Sequence, residues 1–171
     1  MVVDCETTGL ESDSRTIQFG AVFLSGDGEL QGSYKTYLAA DGWVGTPEAQ
    51  AVHRITTNDL KGAPNFANAV APLLPFFHSR KVVAHRASFD QGKLIYEFSL
   101  LGVEPIPDFF CSKLLCESLG YGTLRLQEAA AKFRINSGTP HDAGDDAMTV
   151  AILIQLFLTK HSDETEAYFN T

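Results

Sequence analysis

An α/β layer fold with a mixed five-stranded sheet flanked by helices is expected of this 171-residue chain. The order of its apolar runs is the first reason. Three strand-like runs come first, helical and strand-like runs then alternate, and helices close the chain. The connections are the second reason. The turn Asp27-Gly28 makes runs two and three a hairpin, so the chain starts as a three-strand antiparallel meander. The run at 81–84 is reached through a helix and should lie parallel to the first strand.

The elements follow in order. Met1–Cys5 reads as a short buried strand ended by Thr7-Thr8-Gly9. Thr16–Leu24 (TIQFGAVFL) is the second strand and Leu30–Leu38 the third. Residues 41–64 are rich in breakers, with a helical turn at Pro47–His53, where proline suits the first turn. Phe66–His78 reads as a helix despite Pro72 and Pro75, and Lys81–Ala84 as a buried strand. Leu94, Ile95, Phe98 and Leu101 give Phe89–Leu101 helical spacing, and Gly102 stops it. A last strand is expected within Pro105–Phe110, then helices at Ser112–Leu119 and Leu124–Arg134. Asp142–Thr159 is so apolar after Asp146 that it should be buried on most sides, a homodimer face being the competing use. The last dozen residues are polar and expected to fray.

Composition limits the function classes. With 44% hydrophobic and 20% charged residues the chain reads as one soluble globular domain. No apolar run approaches the roughly 20 residues of a membrane helix, and no leader precedes the first strand, so neither membrane nor secretion is expected. The net charge of −8 argues against gripping long nucleic acid by charge alone. It leaves room for a small acidic site that recruits metal and holds one end of a strand. Cys5, Cys111 and Cys116 lack Cys-x-x-Cys spacing, which suggests reduced thiols in a cytoplasmic protein.

Three acidic clusters carry the chemistry. Asp4 and Glu6 sit two apart on a strand, so both carboxylates face one side and Cys5 the other. Such a pair repels unless a cation lies between, although a solvated strand end would look the same. Thr7-Thr8-Gly9-Leu10 then offers small residues where backbone can approach a ligand. His85–Asp90 lies between a strand and a helix, where α/β sheets bind ligands, though Asp90 could equally be a plain cap. His141-Asp142-Ala143-Gly144-Asp145-Asp146 opens the last helix, with Asp142 its natural N-cap. Asp146, one turn in, needs a partner beside a buried helix. Without a second nearby histidine or cysteine, zinc is not expected. Carboxylate ligation suits Mg²⁺ or Mn²⁺, and four acids with one histidine fit two-metal phosphoryl chemistry.

This ordered set resembles the DEDDh (DnaQ-like) 3′–5′ exonucleases of the RNase H-like superfamily, which include proofreading subunits of bacterial DNA polymerase III and stand-alone relatives. The motifs are Val3-Asp4-Cys5-Glu6-Thr7-Thr8-Gly9-Leu10, Ala84-His85-Arg86-Ala87-Ser88-Phe89-Asp90, and His141 with Asp146 five residues on. Val52-His53-Arg54-Ile55-Thr56 resembles a segment lining the nucleotide pocket. The family carries asparagine where Arg86 stands.

The resemblance implies an RNase H-like fold and a catalytic domain over 1–160, with 161–171 as a polar tail. It implies two Mg²⁺ or Mn²⁺ ions on Asp4, Glu6, Asp90 and Asp146, with His141 as general base. Nucleoside 5′-monophosphates would leave from single-stranded DNA or RNA 3′ ends. Thr7, Thr8, Gly9 and Leu10 would meet the terminal nucleotide. Leu10 and Phe89 would lie against its base, His53 near sugar or base, and Arg86 near a phosphate. For Phe89 core packing is the competing role, and for His53 an ordinary surface loop. A polymerase or another protein is an expected partner. The competing function is a non-catalytic or partner-dependent subunit of a nucleic-acid machine.

Overall fold

A computed structural model describes residues 1–103 and 106–171. Its sheet is mixed and five-stranded, in the order β3-β2-β1-β4-β5. The strands are β1 (Val2–Thr7), β2 (Thr16–Leu24), β3 (Leu30–Tyr37), β4 (Val83–Ala84) and β5 (Phe110–Cys111). β1 to β3 form the expected antiparallel meander, and β4 runs parallel to both β1 and β5. The last strand falls at the end of the window Pro105–Phe110 and runs on to Cys111, and Pro105 itself lies outside the described residues.

Strand alternation splits the core into two layers. Met1, Val3 and Cys5 face one layer with Phe19, Phe66, Phe77 and Phe98. The helices there are α2 (Phe66–Ala69), α3 (Leu74–Ser79) and α4 (Ala87–Ser99). Edge-to-face rings join it, with Phe66–Phe98 centroids 5.0 Å and Phe77–Phe98 centroids 5.5 Å apart. Val2 and Val22 face the other layer, filled by α5 (Ser112–Ser118), α6 (Leu126–Phe133) and α7 (Ala143–Lys160). As its composition suggests, α7 buries Ala147, Val150, Leu153, Ile154 and Phe157.

Two expectations are corrected. The helix expected over Phe66–His78 is broken into α2, a 3₁₀ turn at Ala71–Leu73, and α3. Pro72 and Pro75 have no N–H to donate to the preceding turn, so each opens a new segment instead of continuing the old one. The last residues do not fray. Ser162–Phe169 forms α8, whose Tyr168 and Phe169 pack edge-on against Phe110 at 6.0 and 5.2 Å. Two aromatics at the end of a polar stretch found an apolar partner that is distant in sequence.

A half-buried ion pair joins the start of β2 to α4. The Arg15 guanidinium donates to both Glu97 oxygens at 2.9 and 3.0 Å, and Thr16 N–H donates to Glu97 at 2.8 Å. Removing Arg15 would leave the buried Glu97 charge without its guanidinium, which is destabilising. Among the described residues no helix is long and apolar enough to cross a membrane, and all three cysteines are free.

Candidate active site

β1 delivers Asp4 and Glu6 to the α7 side of the sheet, opposite Gly20 and Gln18 of β2. The start of α7 approaches that side closely. A Cβ on Gly20 would collide with the Ala143 carbonyl and lie 2.7 Å from the Gly144 nitrogen, so only glycine lets helix and strand meet. Gln18, fully buried, accepts from Ala143 N–H at 2.8 Å and donates to Asp142 at 3.2 Å. Asp142 caps α7 as expected, accepting from Gly144 and Asp145 N–H at 3.1 Å, and Lys35 Nζ lies 3.0 Å away. Burial opposes the charge on Asp142, yet Lys35, the Asp145 N–H and Gln18 together hold its pKa below the usual carboxylate value.

This docking brings together residues remote in sequence. Ligand atoms of Glu6, His141 and Asp146 all lie within 4.8 Å of one another. His141 is exposed and has a left-handed backbone, φ 61°, uncommon outside glycine. Its N–H donates to Asp146 Oδ2 at 3.0 Å, which turns the loop back over the helix start. Gln127 of α6 donates more distantly to Asp146 Oδ1, at 3.4 Å. Asp145 turns away from this group, accepts from Thr139 N–H at 2.7 Å and shapes the loop.

Asp90 does not cap its helix. It accepts from Cys5 N–H at 3.0 Å, tying α4 to β1. Arg86 holds the N-cap position without a side-chain cap bond, and its guanidinium lies 5.9 Å from the Phe89 ring. Lys93 Nζ lies 5.1 Å from the same half-buried ring. Arg86 is thus a cation that partly offsets the charge of Asp90.

The four carboxylates disfavour one another's charge. Burial, then Asp90, Glu6 and Asp146, push Asp4 well above the ordinary range. Burial, then Asp146 and Asp90, push Glu6 up to about 8. Burial raises Asp90 to about 7 against the pull of the Cys5 N–H and Arg86. Burial raises Asp146 to about 6 against His141. Of these acids Glu6 and Asp146, with His141, bring ligand atoms together in a way that fits a divalent cation, while Asp4 and Asp90 lie outside that group and act on it through their charge.

The remaining expected contacts are placed as follows. Thr7 and Thr8 are buried and their hydroxyls are engaged internally. Thr7 donates to Gly9 O at 2.8 Å, and Thr8 Oγ1 accepts from Arg15 N–H at 2.9 Å. The Thr8 backbone is engaged too, its N–H donating to Arg15 O and its carbonyl accepting from Thr46 N–H, both at 2.9 Å, while Leu10 just beyond is 79% exposed. His53 ends α1 (Pro47–His53) and is buried, not a surface loop residue. Its Nδ1 accepts from Ile55 N–H at 2.9 Å, so Nε2 carries the proton and turns toward the Val44 backbone without a well-formed hydrogen bond. Burial lowers its pKa against the Val44 backbone, which raises it, and His141 adds to the lowering. His85 bridges Ser112 Oγ at 2.9 Å and the Leu124 carbonyl at 3.0 Å, a structural role. Sequence reasoning singles out neither Gln18 nor Gly20. Their signal is a polar residue and a glycine, two apart, inside an otherwise apolar strand.

Known proteins resemble this chain along most of its length. The profile of the Exonuclease (RNase_T) family matches residues 1–154. DNA polymerase III subunit epsilon of Salmonella typhimurium is 31% identical over 99% of this chain and 74% of its own length. The 3′-5′ exonuclease DinG of Staphylococcus haemolyticus is 29% identical over 90% of this chain and 17% of its own. Among solved structures, the zinc-bound complex of E. coli exonuclease I with single-stranded DNA superposes with TM-score 0.86 at 18% identity. The match takes in 99% of this chain but 42% of that one, so this chain spans under half the length of exonuclease I. Its fold is the RNase H-like fold of these enzymes.

Proposed function

The chain belongs to the exonuclease family, and from that membership we propose that it removes nucleotides one at a time from the 3′ end of single-stranded nucleic acid. One observation carries the reading: Glu6, His141 and Asp146 converge to within 4.8 Å from segments far apart in sequence. With Asp4 and Asp90 beside them, the donors suit two Mg²⁺ or Mn²⁺ ions. Divalent cations held there make water more acidic and offset the charge that builds on the phosphate.

The chain's own groups account for the rest. Asp4, Glu6 and Asp146 hold the cations, and Asp90, fixed to β1 through Cys5 N–H, completes the acidic ring. His141 accepts the proton of the attacking water at a ring nitrogen and, being exposed, returns it to solvent. The water oxygen bonds to phosphorus, the 3′ oxygen of the penultimate nucleotide leaves and takes a proton from solvent, and a nucleoside 5′-monophosphate is released. The backbone of Thr7, Thr8, Gly9 and Leu10 supports the terminal nucleotide, with Leu10 and Phe89 against its base. His53, at the end of α1, lies near the sugar or base. Arg86 meets a phosphate. The catalytic unit spans residues 1–160, with 161–171 as an appendage. Relatives named as polymerase subunits make a polymerase the partner to try first.

The test is digestion of 5′-labelled single-stranded DNA and RNA of one sequence, with Mg²⁺, Mn²⁺ or EDTA, beside Asp4→Ala and His141→Ala. The expected result is a metal-dependent ladder shortening from the 3′ end. Loss of His141 should slow it about 10²–10⁴-fold, as for other general bases. Shortening that survives EDTA, or that both variants retain, overturns the proposal.

A further inference from the structure

Trp43 is the chain's one tryptophan, and its side chain is 54% exposed. The segment that carries it is fixed. Trp43 N–H donates to Ala40 O at 3.0 Å, and its neighbour Val44 is buried with Ile17, Ile55 and Leu60. Gly45 has φ 103° and lies so close to β1 that a Cβ on it would stand 2.6 Å from Thr8 Cα. Thr46 N–H donates to Thr8 O at 2.9 Å, and Gln50 Nε2 to Gly45 O at 2.7 Å. The indole therefore stands on a rigid loop bonded to Thr8, its Cα within about 7 Å of Gly45 by chain geometry.

Two more exposed apolar side chains lie near Thr8 or His53 along the chain. Leu10 follows Thr8 by two residues, and Val52, 46% exposed, precedes His53. A single exposed apolar residue needs no explanation, but this indole is carried by a loop bonded to Thr8, directly after the strand that holds Asp4 and Glu6. The charge balance adds the reason. A chain of net charge −8 cannot hold a strand mainly by neutralising phosphates, so stacking must supply what Lys and Arg do not.

Resting on the exonuclease reading of the site, we propose that Trp43 stacks on a base of the bound strand upstream of the terminal nucleotide, and so favours oligonucleotides over single nucleotides. Such stacking tolerates any base, as an enzyme that shortens strands of every sequence requires.

The test compares a ten-residue oligothymidylate with the p-nitrophenyl ester of thymidine 5′-monophosphate, which has no upstream base. Trp43→Ala should raise KM for the oligonucleotide about fivefold or more beyond any change with the ester, and Trp43→Phe should restore most of it. Because Trp43 is the only tryptophan, its emission in the unmutated chain should be quenched by the oligonucleotide and not by thymidine 5′-monophosphate. Equal KM changes on both substrates, or emission unmoved by the oligonucleotide while the ester is still hydrolysed, would overturn the inference and leave Trp43 as a protein contact. If neither substrate is cut, the exonuclease reading has failed, and the emission titration still decides the stacking.

Discussion

Glu6 sits in the fold at a cost to stability. Burial, Asp146 and Asp90 raise its carboxyl from 4.5 to about 8. Below pH ~4.5 the acid is protonated folded or unfolded and costs nothing. As pH rises toward the folded value the native state must hold a proton or an unwelcome charge, so the cost grows and is complete above it. With metal chelated, Glu6→Gln should therefore stabilise the fold by about 1–3 kcal/mol at pH 8 and by far less at pH 5. Urea unfolding at the two pH values measures this, and a gain equal at both would refute the assigned cause. On the proposed function the same residue holds a cation, which would be the usual trade of stability for activity. At this scale the acids and His141 were legible in the sequence because their spacing survives in the motifs. The buried N–H of His53 was not, because its tautomer depends on a bond to Ile55 made only in the fold.

The start of α7 is the element on which the site depends, and β2 positions it. Gly20 admits the helix backbone, and Gln18 binds Ala143 and Asp142. Gly20→Ala should push the helix start outward, cost about 1–3 kcal/mol as an overpacked contact, and displace Asp146 and His141. Because small misplacements at a reacting centre can cost 10²-fold, nuclease activity should fall at least about tenfold while the chain still melts cooperatively. Unchanged melting and activity would mean that the contact is not formed. Strand and helix positions were readable where one period dominated, as in TIQFGAVFL and the run after Asp146. They were misread where backbone chemistry or distant packing prevailed. Two prolines divide the stretch 66–78, and Phe110, far along the chain, orders α8.

At the scale of the whole molecule, a mixed sheet separates two apolar layers and brings both acidic residues of its central strand and the start of α7 to one face. The order of elements predicted that sheet, and the profile and structural relatives share it. The distances inside the site were not readable, since Glu6 and Asp146 meet His141 only through the contact of β2 with α7. Above all, these carboxylates should oppose one another until divalent cations lie among them. Calorimetric titration of the chelator-treated chain with Mn²⁺, beside Asp4→Ala, probes that opposition without any substrate. Two ions per chain are expected, and at most one in the variant, whereas a chain that takes up no Mn²⁺ at millimolar concentration would contradict the cation-binding role of the acids.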